Sequence, residues 1–209
     1  MFNDCYGLTK EVFEGRKTQT RRIIPESALA KMPAFQEKFF NDTLDLLEER
    51  DLLIQYFLVD KYGDTRYSAG ETIAIAMPYK DIVFYKPTMS EKTLNLIHIR
   101  VEPDDSIKKS PGWTNKMFVK PELMPEHIRI TGIRIERLQD ISDEDCLKEG
   151  IKKSWWMGAS GKPLYGFGEH DDRDTSPREA YAALIDKISG KGAWEKNPWV
   201  FVYDFELVK

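Results

Sequence analysis

The stretch Trp199-Val200-Phe201-Val202-Tyr203-Asp204-Phe205-Glu206-Leu207 puts an aromatic or aliphatic residue at every second position, which is the period of a β-strand. Val200 and Val202 add apolar side chains on the other face before Asp204 and Glu206 take over. The first half of this strand is therefore predicted to be buried on both faces. Such a strand needs sheet neighbours at its sides and packed cover above and below it.

The cover is legible upstream. Ser176-Pro177-Arg178-Glu179 reads as N-cap, first-turn proline and capping-box glutamate, and Tyr181, Leu184, Ile185 and Ile188 then line one helical face before Gly190. Residues 127–136 alternate Ile128, Ile130, Ile133 and Ile135 with polar residues, and the phase slips at Gly132, which suggests a bulge. Ser142 is expected to cap a short helix with Asp145 three residues on, an Ile141–Cys146 staple and a stop at Gly150. Further strands are expected at 52–59, 71–76, 81–85 and 94–101, with 65–67 returning as a hairpin partner of the first. Residues 26–50 read as helical, interrupted by Pro33. Several short strands with interspersed helices give an α+β fold, a small curved sheet or barrel flanked by helices.

With 209 residues, 41% of them hydrophobic, the chain suffices for one domain with a packed core. A net charge of -4 argues against a broad basic coat for nucleic acid, though not against local basic patches. Cys5 and Cys146 are isolated, so neither a disulfide framework nor a zinc site is expected. His170-Asp171-Asp172-Arg173-Asp174 has ligand residue types without a calcium-loop spacing, and no metal or cofactor is expected. No apolar run reaches the ~20 residues of a membrane helix, and the N-terminus lacks a signal-peptide pattern. A cytoplasmic location is the corresponding expectation.

Against that background one run stands out. Gly15-Arg16-Lys17-Thr18-Gln19-Thr20-Arg21-Arg22 holds four cations and no acid. Thr9 is expected to cap a helix before it, with a Leu8–Phe13 staple and Gly15 at its end, which leaves Lys17 and Thr20 in irregular backbone. Glu149 stands out for the opposite reason, because a carboxylate at a helix C-terminus opposes the helix dipole. Two further segments are candidates. Residues 104–125 form a loop with Lys108, Lys109, Lys116 and Lys120 interleaved with Trp113 and Phe118, a pattern that suits phosphates and stacked bases. Residues 152–175 form a long loop with Trp155, Trp156, Tyr165 and Phe167 among glycines.

Four blocks together resemble the ASCH domains of the PUA-like β-barrel superfamily, and most of all those of phage and prophage proteins. They are the Gly15–Arg22 run, Gly70-Glu71 before a strand, the block from Met124-Pro125 through Arg137-Leu138-Gln139-Asp140-Ile141 to Glu149-Gly150-Ile151, and Asn197-Pro198-Trp199-Val200-Phe201. Residues 31–68 read as an insertion in a single ASCH domain spanning 1–209. The resemblance implies a PUA-like barrel whose cleft binds RNA or a nucleotide or nucleoside, here with Arg16, Arg21, Arg22, Trp113, Lys116 and Arg129 as ligand residues. Some bacterial members are amidohydrolases that deacetylate N4-acetylcytidine, and their catalytic lysine, threonine and glutamate fall on Lys17, Thr20 and Glu149. Where phage-type members carry a tryptophan and a glutamate, this chain has Ala74 and Met77. A third expectation is an accessory protein that contacts a partner through the insertion.

Overall fold

The structure is a computed structural model, and it describes residues 6–29, 65–82, 105–158, 161–168 and 174–208. The strands expected at 52–59 and 94–101, residues 30–50 of the helical region and most of the insertion lie outside the described residues. In chain order the elements are α1 (Leu8–Phe13), β1 (Gln19–Ile23), α2 (Glu26–Leu29), β2 (Thr72–Ala74), α3 (Tyr79–Ile82) and α4 (Asp105–Lys109). They continue with β3 (His127–Arg137), α5 (Asp143–Lys148), β4 (Lys152–Met157), β5 (Pro163–Gly166), α6 (Pro177–Ser189) and β6 (Trp199–Val208). The fold is α+β, with a curled antiparallel half-barrel sheet in the order β1-β6-β3-β2 and a separate β4-β5 hairpin.

Two compact units emerge, one of Glu71–Arg129 with Leu207–Lys209, the other of Phe2–Gly70 and Ile130–Glu206. In the first, β2 pairs with the opening of β3 in the register Thr72↔Arg129 to Ala74↔His127. Ile75, Met77, Tyr79, Ile82, Met124 and Ile128 form its core. Three 3-10 turns, Pro111–Trp113, Lys116–Phe118 and Pro121–Leu123, follow α4. The Tyr79 hydroxyl accepts from the Lys120 backbone N–H at 2.9 Å, which ties this run to α3. Gly112 is required there, because a Cβ would come within 2.6 Å of the Tyr79 ring. The expected loop at 104–125 is thus a chain of helical turns, and residues 81–82 close a helix rather than open a strand.

In the second unit β6 lies between β1 and β3, and its Val200, Phe201, Val202 and Tyr203 are all buried, as the sequence pattern requires. Its register with β1 runs from Gln19↔Asp204 to Ile23↔Val200. Ser176 caps α6 by accepting from the Glu179 N–H at 3.2 Å, and Tyr181, Leu184 and Ile185 are buried along its length. Ser142 accepts from the Asp145 N–H at 3.1 Å, and the Ile141–Cys146 staple is fully buried beneath α5. Burial pushes the Cys146 thiol up to about 12.

Four expectations change in this unit. The N-cap of α1 is Gly7 at φ 67, not Thr9, which is buried inside the helix. Thr20 lies in β1 rather than in irregular backbone. Residues 65–67 are a bend and not a strand, with the Tyr203 hydroxyl accepting from the Arg66 N–H. The 152–175 loop contains the β4-β5 hairpin, joined by a bridge between Tyr165 and Asp174. Its glycines mark the ends of these strands, and Trp155 and Met157 sit on one of them.

Candidate functional site

The basic run folds into the second unit with alternating fates. Gly15 takes φ 72 and ends α1, and the Arg16 and Lys17 N–H groups both donate back to the Glu11 carbonyl at 2.9 Å. The chain then enters β1, where the pleat sends Gln19 and Arg21 inward and Thr20 and Arg22 to the opposite face. Lys17 turns inward beside them and is 2% exposed.

Among the described residues its ammonium meets three acceptors. Lys17 Nζ donates to the Gln19 carbonyl at 2.8 Å, to the Glu149 carbonyl at 2.7 Å and to Glu149 Oε2 at 2.6 Å. The misplaced helix-end carboxylate is therefore turned inward, 5% exposed, onto a cation. The local chain makes this possible. Glu149 is the C-cap of α5, and Gly150 at φ 102 reverses the backbone so closely that a Cβ would stand 3.2 Å from Leu8 and 3.5 Å from Lys17. Burial lowers the Lys17 pKa from 10.5, with Arg22 and Arg21 pushing the same way, while the Glu149 charge and hydrogen bond oppose the fall.

Arg21 extends the cluster. Its guanidinium is 1% exposed and donates to Glu149 Oε1 at 3.2 Å, to Glu136 Oε1 at 2.8 and 2.5 Å, to Asp145 Oδ2 at 3.2 Å and to Gln19 Oε1 at 2.5 Å. Burial works against its charge, but Glu149 and Glu136 hold the pKa above its usual value. Arg134 bridges the same acids, reaching Asp145 at 3.1 Å, Glu136 at 3.2 Å and Asp204 at 2.6 Å. Gln19 Nε2 donates to Asp204 Oδ1 at 2.7 Å. Burial raises the Asp145 carboxyl, and Lys148, Arg21 and Arg134 more than reverse that. Among the described residues the cluster thus sets Lys17, Arg21 and Arg134, with Lys148 at its edge, against Glu136, Asp145, Glu149 and Asp204. Against it lies a hydroxyl with no hydrogen-bond partner among the described residues: Tyr181, fully buried on α6. Its pKa is driven well above 10 by burial and by the Glu149 charge.

Outside the cluster, an open groove of about 530 Å³ runs along α5 and β4. Arg16, Lys148, Lys152 and Lys153 line it over an apolar floor of Leu147 and Ile151, and Glu144 is the acid on its wall. The groove and the cluster share supports. Buried Glu11 takes Arg16 at 2.5 Å and Lys152 at 2.7 Å, and Lys148 binds Asp145 at 3.2 Å. Burial would raise the Glu11 carboxyl, but Arg16 and Lys152 hold it below 4.5.

Of the residues expected to react, Lys17 and Glu149 are brought together and Thr20 is on the other face of β1. Of the expected ligand residues, Arg16 lines the groove, Arg21 is consumed by acids, and Arg22 shares the face of Thr20. Trp113, Lys116 and Arg129 belong to the other unit. The sequence reading missed Gln19, Arg134, Glu136, Asp145, Asp204 and the groove lysines. The two-residue spacing of Lys17, Gln19 and Arg21 was the available signal for a polar inward face. Compared with known proteins, the chain matches no family model, no curated protein and no solved structure.

Proposed function

We propose that this protein binds RNA or a nucleotide, with the phosphates in the groove of Arg16, Lys148, Lys152 and Lys153. The groove itself carries the reading: four cations face one acid along it, in a chain whose net charge is -4. Arg16, Lys148 and Lys152 also hold carboxylates. The pairs of Lys148 with Glu144 and Asp145 lie near the surface, where such pairs are worth only about 0–1 kcal/mol, so a phosphate can displace them at little cost, while it shares Arg16 and Lys152 with buried Glu11. In this reading the buried cluster fixes α5, one wall of the groove, and the Lys152–Glu11 pair ties β4, the other wall, to α1. The family reading that accompanies it is an ASCH domain on a PUA-like barrel, supported by the curled half-barrel sheet and by the Lys17–Glu149 contact. Titrating labelled single-stranded RNA by fluorescence anisotropy across a salt series tests it. The slope of log affinity against log salt is expected to flatten by roughly 0.7 for each of Lys148→Ala and Lys153→Ala. An affinity indifferent to salt overturns the proposal.

A second reading rests on the 2.6 Å contact between Lys17 and Glu149. A buried lysine of lowered pKa beside a carboxylate is a general-base arrangement. It suits an amidohydrolase acting on an N4-acylcytidine-like nucleoside. Water adds to the acyl carbonyl, the C–N bond breaks, the amine of the base takes a proton and the acid departs. Thr20, the nucleophile implied by the resemblance, faces away, so Lys17 and Glu149 are the pair on which this reading depends. Chromatography of N4-acetylcytidine incubated with the protein decides it: cytidine is released by the native chain and not by Lys17→Met, and absence of release by the native chain removes it.

A further inference from the structure

The β4-β5 hairpin presents an outward face that the groove does not account for. Along β4, Lys153, Trp155 and Met157 are exposed while Ser154 is buried between them. Trp155 is 80% exposed and Met157 64%. The hairpin register sets half-buried Tyr165 opposite Lys153 and half-buried Pro163 opposite Met157, with a slip between the two pairs, so each shares the face of its partner. Exposed apolar side chains that lie side by side, rather than singly, mark a surface for recognition.

Lys153 decides what the surface recognises. It lines the basic groove and also begins the aromatic face, with Trp155 two residues, or about 6.6 Å, further along the strand. A row of cations that runs directly into an exposed indole suits a polyanion whose repeating units carry flat rings. A protein surface or a lipid headgroup offers the charge or the apolar area without the rings in register. We infer that the hairpin face is a stacking platform for a base of single-stranded RNA whose phosphates lie in the groove, an inference that rests on the groove reading above. The indole of Trp155 takes the base, Met157 and Pro163 extend the apolar surface, and Lys153 bridges from platform to phosphate.

The experiment uses the full chain and a fluorescein-labelled oligouridylate at fixed salt, with native protein, Trp155→Ala, Trp155→Phe and the groove variant Lys148→Ala. Loss of one stacked base is expected to weaken binding about 5- to 150-fold in Trp155→Ala. The salt slope should stay unchanged, and Trp155→Phe should restore most of the affinity. Polyphosphate, which has charge but no bases, is expected to bind native protein and Trp155→Ala equally. If Trp155→Ala binds oligouridylate as tightly as native protein while Lys148→Ala is weakened, the platform is wrong and the groove reading survives. If native protein shows no salt-dependent binding of oligouridylate at all, the groove reading falls and takes the platform with it. Equal affinity for the oligouridylate and for an RNA duplex of the same length, whose bases cannot reach the indole, also overturns the platform.

Discussion

Glu149→Gln tests the cluster where it is most exposed to error. The substitution keeps the shape and one of the two acceptor oxygens but deletes the charge that Lys17 meets at 2.6 Å and Arg21 at 3.2 Å. Both cations are almost completely buried, so water cannot replace the lost partner. Breaking a buried ion pair by removing one member costs about 3–5 kcal/mol. Against a total stability of about 5–15 kcal/mol that is a large fraction. For a chain of this size each kcal/mol moves the melting temperature by about 2–4 °C, so Glu149→Gln is expected to melt about 6–20 °C lower. Urea unfolding followed by circular dichroism gives the free energy directly. A second arm varies pH. The folded Lys17 pKa lies below 10.5 and falls further without Glu149, whereas the unfolded pKa does not move. In the window between the folded value and 10.5 the unfolded chain binds the extra proton, so stability rises with pH there. The deficit of Glu149→Gln relative to native protein should therefore shrink as the pH approaches 10.5. A loss under about 1 kcal/mol, constant with pH, would show that the pair is solvated and that the reasoning about it is wrong.

Three other perturbations address neighbouring features. Tyr181→Phe is expected to be neutral or to stabilise by up to about 1–2 kcal/mol, because the hydroxyl it removes is buried without a hydrogen-bond partner among the described residues; a loss in urea unfolding would mean that the hydroxyl is satisfied. Gly150→Ala should destabilise by about 1–3 kcal/mol, from the φ of 102 and the approach to Leu8, and thermal melts detect it. Acid unfolding should begin as pH drops below about 4.5, because Glu11 and Asp145 have folded pKa values beneath their ordinary ones. The stability they contribute is present above the unfolded value and is lost as pH falls through the folded one. Glu11→Gln should flatten that limb of the urea-midpoint profile, and an unchanged limb contradicts the assignment.

What was legible in the sequence was what local chemistry controls. The caps of α5 and α6 need only Ser142, Asp145, Ser176 and Glu179 within one turn of each other, and β6 announces its burial by its own alternation. The cap of α1 was misplaced because Gly7 caps through backbone conformation, which threonine at position 9 imitates on paper. The β4-β5 hairpin was hidden because Lys152-Lys153-Ser154-Trp155-Trp156-Met157 does not alternate, and its register slips between Lys153 and Met157. At the site, the pairing of Lys17 with Glu149 came from family resemblance alone. The other acidic partners of Arg21, Glu136 and Asp145, stand on β3 and α5, more than a hundred positions away, and no local pattern marks which distant acid a buried arginine will choose. The gathering of these acids and cations from β1, β3, α5 and β6 follows from the tertiary fold.

Cys146 gives this architecture a built-in timer. It sits fully buried on the inner side of α5, the helix that ends in Glu149, with its thiol held at about 12, so in the closed state it offers almost no thiolate to a reagent. Alkylation of Cys146 in a Cys5→Ser background therefore proceeds only during the moments when α5 lifts off. Its rate, divided by that of a free thiol, counts the fraction of time the helix spends open, and hence how often Lys17 is parted from Glu149.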